Sequence, residues 1–90
     1  PFQLDRKSWE FHRELGYEVR ESWLTKPVRT AATLAAWARD RDVPCLDLTD
    51  RFRELRTPLY FVEDVHFNPR GNARGAEAIG KFLRSRKLCP

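Results

Sequence analysis

Two short apolar runs, VPCLDL at 43–48 and LYFV at 59–62, each stand between stretches of helical periodicity. No other feature narrows the fold as much. A run without polar alternation needs cover on both faces, and strands covered on both faces belong to parallel sheets flanked by helices. Pro44 is tolerated near the start of such a strand. LYFV also fits an extended lead into a loop.

Leu4, Phe11 and Leu15 have helical spacing and Gly16 interrupts it, which predicts a helix over 5–15. Trp9, Tyr17 and Trp23 add apolar area without a period, so residues 1–26 are the least defined part. Pro27 suits a first helical turn. Val28, Ala31, Ala32, Leu34, Ala35 and Ala38 follow at helical intervals and predict a helix over 27–41 with an alanine face for close packing. Thr49 or Asp50 caps a short helix over 50–55, ended by Thr57 and Pro58. Pro69 and Gly71 mark a turn, Asn72 caps the last helix, and Ala76, Ile79 and Leu83 form its apolar stripe. Two strands do not complete a parallel sheet. The sequence therefore reads as the C-terminal portion of a larger α/β domain, or as a chain that pairs with another. Its first residue is Pro1 rather than Met, which fits an excised or processed piece.

The 90 residues make one domain or part of one. A chain of this size buries roughly 60–65% of its unfolded surface, which is marginal for independent stability. The net charge of +4 comes from 17 basic and 13 acidic residues that alternate along the chain. That mixture argues against a dedicated nucleic-acid surface. Only Arg84, Arg86 and Lys87 cluster, and a small basic binding module acting through them is the non-catalytic alternative. Cys45 lies inside an apolar run and reads as a buried hydrophobe. Whether it pairs with Cys89 is open. His12 and His66 are far apart and no metal-ligand spacing occurs. No apolar stretch is long enough to span a membrane. No signal peptide is visible, and the compartment stays unassigned, with the cell envelope and secretion both open.

The loop after LYFV carries Glu63, Asp64 and His66. In doubly wound sheets ligands gather at the carboxyl ends of strands. Histidine is the natural general base near neutral pH, and a neighbouring carboxylate fixes its tautomer and stabilises the imidazolium. The loop thus offers two of the three members of a Ser-His-Asp system. The pattern is short and fits equally a structural turn in which Asp64 accepts backbone N–H bonds and His66 is a half-buried polar residue. Elsewhere, His12 reads as a surface residue, and Asp47 as a turn or capping residue. The three tryptophans read as core or as a sugar-stacking groove, with Trp37 the foremost core member.

The block EDVHFNPRGNARGAEAIGKFL resembles the C-terminal block of the SGNH/GDSL hydrolase and acyltransferase superfamily. There Asp-x-x-His or Asp-x-His is followed by an aromatic or Pro, then Asn, x-x-Gly and an alanine-rich helix. LAAWARDRDVPCLDLTDRFREL is similar to the helix, strand and Asp-Leu turn that precede it. The likeness covers about residues 27–88, and its Asp-x-His-aromatic-Asn form points to esterases of carbohydrate esters and polysaccharide O-acetyltransferases. It implies a three-layer α/β/α sandwich of flavodoxin-like parallel topology, of which this chain is the C-terminal part. It implies His66 as general base and Asp64 as its orienting acid, with Glu63 the alternative. Phe67 and Asn68 would seat the histidine loop, and Gly71 would let it turn into the helix. No cofactor is implied. The substrate would be an ester or acetylated carbohydrate, and acyl transfer would run through an acyl-serine.

The family's Gly-Asp-Ser nucleophile and its oxyanion-hole blocks do not occur here. Ser8, Ser22 and Ser85 follow no apolar strand and read as surface residues. The nucleophile is therefore expected upstream, in the remainder of the same domain, and the 90 residues alone are expected to be inactive. A degenerate domain that lost its serine is the other alternative.

Overall fold

The computed structural model describes residues 4–89. Among these residues four α-helices occur: α1 (Arg6–Glu14), α2 (Arg29–Asp40), α3 (Thr49–Glu54) and α4 (Pro69–Ser85), with a 3-10 helix at Glu21–Leu24 between the first two. Of the described residues 56% are helical and none forms a strand. The only β-type pairing among them is an isolated antiparallel bridge between Tyr60 and Phe67. This overturns the expected parallel-sheet α/β sandwich: the chain is mostly helical. The physical reason lies in what a strand needs. Residues 43–48 have no neighbouring strand to take their backbone groups, and Val43, Cys45 and Leu46 stay exposed. The apolar pattern identified residues that favour burial, not a partner to bury them.

The helices start and stop for local reasons. Asp5 caps α1 by accepting the Lys7 N–H at 2.8 Å. At the other end Gly16 adopts φ 89°, a left-handed geometry that costs glycine little, and Tyr17 N–H returns to the His12 carbonyl at 3.1 Å. Asp42 and Lys87 take the same position after α2 and α4, with φ 53° and 55°. Asp47 accepts the Thr49 N–H at 2.8 Å at the start of α3. This places its carboxyl below the usual range, through its bonds to Thr49 first and the nearby Arg53 charge last.

The core is small. Phe52 and Leu59 are 2% and 1% exposed, Tyr60 is buried beside them, and Leu4, Leu48, Leu55 and Phe67 pack around them. Phe67 meets Phe52 edge-on at 5.6 Å between centroids and Tyr60 at 4.9 Å. α1 turns Trp9 inward at 5% exposure, its indole N–H donating to the Arg20 carbonyl at 3.1 Å. Leu15, expected on the buried face, is exposed. Trp37 also departs from expectation: it is 47% exposed, with the Arg41 guanidinium 4.9 Å from its ring centroid. α4 buries Gly71, Gly75 and Ala78 instead of Ala76, Ile79 and Leu83. A Cβ at Gly71 would overlap the Leu59 carbonyl oxygen, so the helix approaches that segment as closely as only glycine permits. The radius of gyration is 14.7 Å, against about 12 Å for a compact chain of this length. No helix among the described residues is long and apolar enough to cross a membrane.

Candidate functional site

The site begins with Asn68. It caps α4 with Pro69 at the first helical position, its side-chain oxygen accepting the Gly71 N–H at 2.9 Å. Asn72, expected as the cap, lies within the helix; Pro69 was the signal in the sequence that places the start one turn earlier. The Asn68 amide nitrogen donates backward to the carbonyls of Pro58 (2.9 Å) and Tyr60 (3.3 Å). Its backbone N–H donates to Leu59 at 3.0 Å. One residue thus starts the helix and ties it to both ends of the preceding segment. Gly71 allows that tie by its close approach to Leu59.

Residues 61–66 form the loop closed by this tie. Phe61 N–H donates to the His66 carbonyl at 3.1 Å and Asp64 N–H to the Phe61 carbonyl at 3.2 Å. The Phe67 ring, wedged between Phe52 and Tyr60, roots the loop in the core. Phe67, Asn68 and Gly71 therefore all contact the base of the loop.

Within it, Asp64 and His66 meet. One Asp64 carboxylate oxygen accepts the His66 backbone N–H at 2.9 Å and also bonds the ring Nδ1. A carboxylate only accepts, so Nδ1 carries a proton, and in the neutral ring Nε2 is then the nitrogen that presents a lone pair. The Asp64 carboxyl is held below its ordinary range, first by the His66 backbone N–H and then by the His66 ring. The His66 side chain is 78% exposed, so Nε2 faces solvent. Glu63 is exposed and makes no ion pair or hydrogen bond with any described residue. The loop also exposes Phe61, Val62 and Val65, an apolar rim beside the imidazole.

None of the serines bonds His66. Ser8, expected at the surface, is buried, and its hydroxyl has no partner among the described residues. Ser22 is half-buried, and the Ser85 hydroxyl donates to the Phe82 carbonyl at 2.9 Å. His12 is half-buried rather than exposed, with Nδ1 2.7 Å from the Ser8 carbonyl oxygen. No group of three side chains suited to a metal occurs among the described residues. Comparison of the chain with protein-family models, with curated proteins and with solved structures gave no match.

Proposed function

We propose that Asp64 and His66 are the base half of a serine-dependent acyl-transfer site, acting on an ester or acetylated carbohydrate, with the nucleophilic serine supplied upstream of these residues. The observation that carries this is the double bond of one Asp64 oxygen to the His66 N–H and to its Nδ1. Such a contact selects the tautomer whose Nε2 can take a proton from a serine hydroxyl. Exposure of the ring leaves room for that serine and its substrate.

In the mechanism that follows, His66 Nε2 removes the serine proton as the hydroxyl attacks the ester carbonyl. The imidazolium, paired with Asp64, then protonates the departing alcohol. The acyl-serine is resolved by water or by a sugar hydroxyl, activated in turn by His66. Asp64 stays ionised throughout, in line with its lowered carboxyl pKa. Stabilisation of the oxyanion comes from groups outside these residues, and without it most of the rate is lost.

The test is labelling with a fluorophosphonate ester, performed on the longest natural form of the chain and on the 90 residues alone. The long form should label on a serine outside this segment and turn over aryl acetates. His66→Ala should abolish turnover, and Asp64→Asn should lower kcat by about 10⁴. Turnover that survives His66→Gln in the long form would refute the role of the base. Serine-dependent hydrolysis by the 90 residues alone, lost in His66→Ala, would refute the division of labour.

A further inference from the structure

A second site lies away from the histidine loop. A cleft of about 790 Å³ opens between the first turns of α1 and the segment formed by α3 and the residues that follow it. That volume suits a small organic ligand. Its floor is apolar: Phe52 is almost fully buried, and Leu4 and Leu24 are half-buried. Its walls are basic, with Arg6, Lys7, Arg53 and Arg56 outnumbering Asp5 and Glu10.

Neither Asp5 nor Glu10 forms an ion pair with Arg6, Lys7 or Arg56. Asp5 is buried and spends both carboxylate oxygens on backbone N–H groups, of Lys7 at 2.8 Å and of Leu59 at 3.1 Å. Arg6 is already paired with Glu21 at 3.1 Å. Arg53 is held by donation to the Trp23 carbonyl at 2.8 Å, which fixes a guanidinium at the wall. The Lys7 and Arg56 side chains make no ion pair or hydrogen bond with any described residue. Held and unpaired cations above an apolar floor match a ligand with a negative head and an apolar body.

We propose that this cleft binds a small organic anion, a carboxylate or phosphate head on an apolar body. Lys7, Arg53 and Arg56 take the head, and Leu4, Leu24 and Phe52 seat the body. None of residues 61–67 lines the cleft, so this site stands apart from the acyl-transfer reading and does not depend on it.

The test is an NMR titration of the 90-residue chain with octanoate and octyl phosphate, beside acetate as head without body and octanol as body without head. Either amphiphile should give saturable amide shifts confined to residues 4–10 and 52–58, with acetate and octanol at least about tenfold weaker. Tighter binding of octanoate assigns the head as a carboxylate; tighter binding of octyl phosphate assigns it as a phosphate. Arg56 has φ 49°, so Arg56→Gly suits the backbone while removing a ligand to the head. It should raise or preserve Tm and weaken binding about tenfold. Acetate binding as tightly as octanoate would overturn the proposal. So would shifts scattered over distant apolar residues such as Leu34 and Ile79, or undiminished binding in both Arg56→Gly and Lys7→Gln.

Discussion

Gly71→Ala and Gly75→Ala lie one turn apart on the buried face of α4, and the structure gives them opposite signs. A Cβ at position 71 would overlap the Leu59 carbonyl oxygen and stand 2.9 Å from Phe67 Cδ1 and 3.0 Å from the Leu59 carbonyl carbon. Leu59 has little freedom to move away. Its N–H is bonded to Asp5 at 3.1 Å and its carbonyl accepts the Asn68 N–H at 3.0 Å. Forcing the methyl in costs about 1–3 kcal/mol of overpacking and about 1 kcal/mol for the strained Asn68 bond, against about 1 kcal/mol gained in helix propensity. The net loss is about 2 kcal/mol, a fall in Tm of roughly 8–16 °C. At position 75 the Cβ would sit 3.8 Å from Phe52 Cζ, an ordinary contact. Only the propensity gain remains there, about 0.5–1 kcal/mol. Urea and thermal unfolding followed by circular dichroism read both values. A Gly71→Ala variant as stable as the parent, or equal losses at both positions, would refute the close approach of α4 to Leu59.

Three further outcomes are expected. Asn68→Ala should cost about 2 kcal/mol, from the lost cap and the two lost amide bonds, while Asn68→Ser should recover the cap alone and fall between, as thermal melts can show. The Asp64 carboxyl has its pKa lowered on folding, so its contribution to the loop is complete above its ordinary value of 3.8 and is lost as pH falls through the folded value. The His66 backbone amide should shift upfield in NMR spectra over that acid range, and Asp64→Asn should flatten the change. Trp9→Ala should cost about 3–5 kcal/mol and Trp37→Ala less than about 0.5 kcal/mol; equal effects in denaturant unfolding would contradict their assigned burial.

The sequence was most legible where contacts are local. The four helices of the described residues fall close to where periodicity predicts them, because that signal acts within a turn or two, but the expected caps do not hold: Thr49 and Asp50 lie inside α3 behind Leu48, Asn72 lies inside α4 behind Asn68, and α2 starts at Arg29 rather than at Pro27. The buried faces were less legible. On α4 the buried residues are Gly71, Gly75 and Ala78, which carry almost no hydrophobic signal; Gly71 faces the Leu59 backbone and Gly75 the Phe52 ring. On α1 the buried Asp5 and Ser8 look like surface residues until the Leu59 N–H bonded to Asp5 is in view. The stretch 43–48 has the composition of a strand, but a ladder is a property of two segments, and one sequence window shows only one. The contacts of the histidine loop were legible because Asp64, His66, Asn68 and Gly71 lie within eight residues of one another. The cleft was not, because its cations come from positions 6–7 and 53–56 and meet only through folding.

That contrast bears on how the His66 imidazole is held in place. Orientation of an imidazole needs an acceptor on Nδ1, a fixed backbone and an open path to Nε2. Here a single Asp64 oxygen supplies the acceptor and also restrains the His66 backbone. Asn68 closes the loop, and Phe67 anchors it between Phe52 and Tyr60. None of these contacts requires a sheet. A mostly helical chain can therefore hold the Asp64–His66 contact, and the absence of strands among the described residues removes the fold expectation without removing that local geometry. A nucleophile is different, because it must reach Nε2 from a separate segment, and no serine among the described residues bonds to that nitrogen. The loop can thus be fully formed while the 90 residues remain inactive. If so, Asp64→Asn should alter the His66 ring tautomer, read from the ring 15N shifts, in the 90-residue chain as much as in a longer active form. A change confined to the longer form would mean that the geometry is imposed from outside rather than written in residues 58–71.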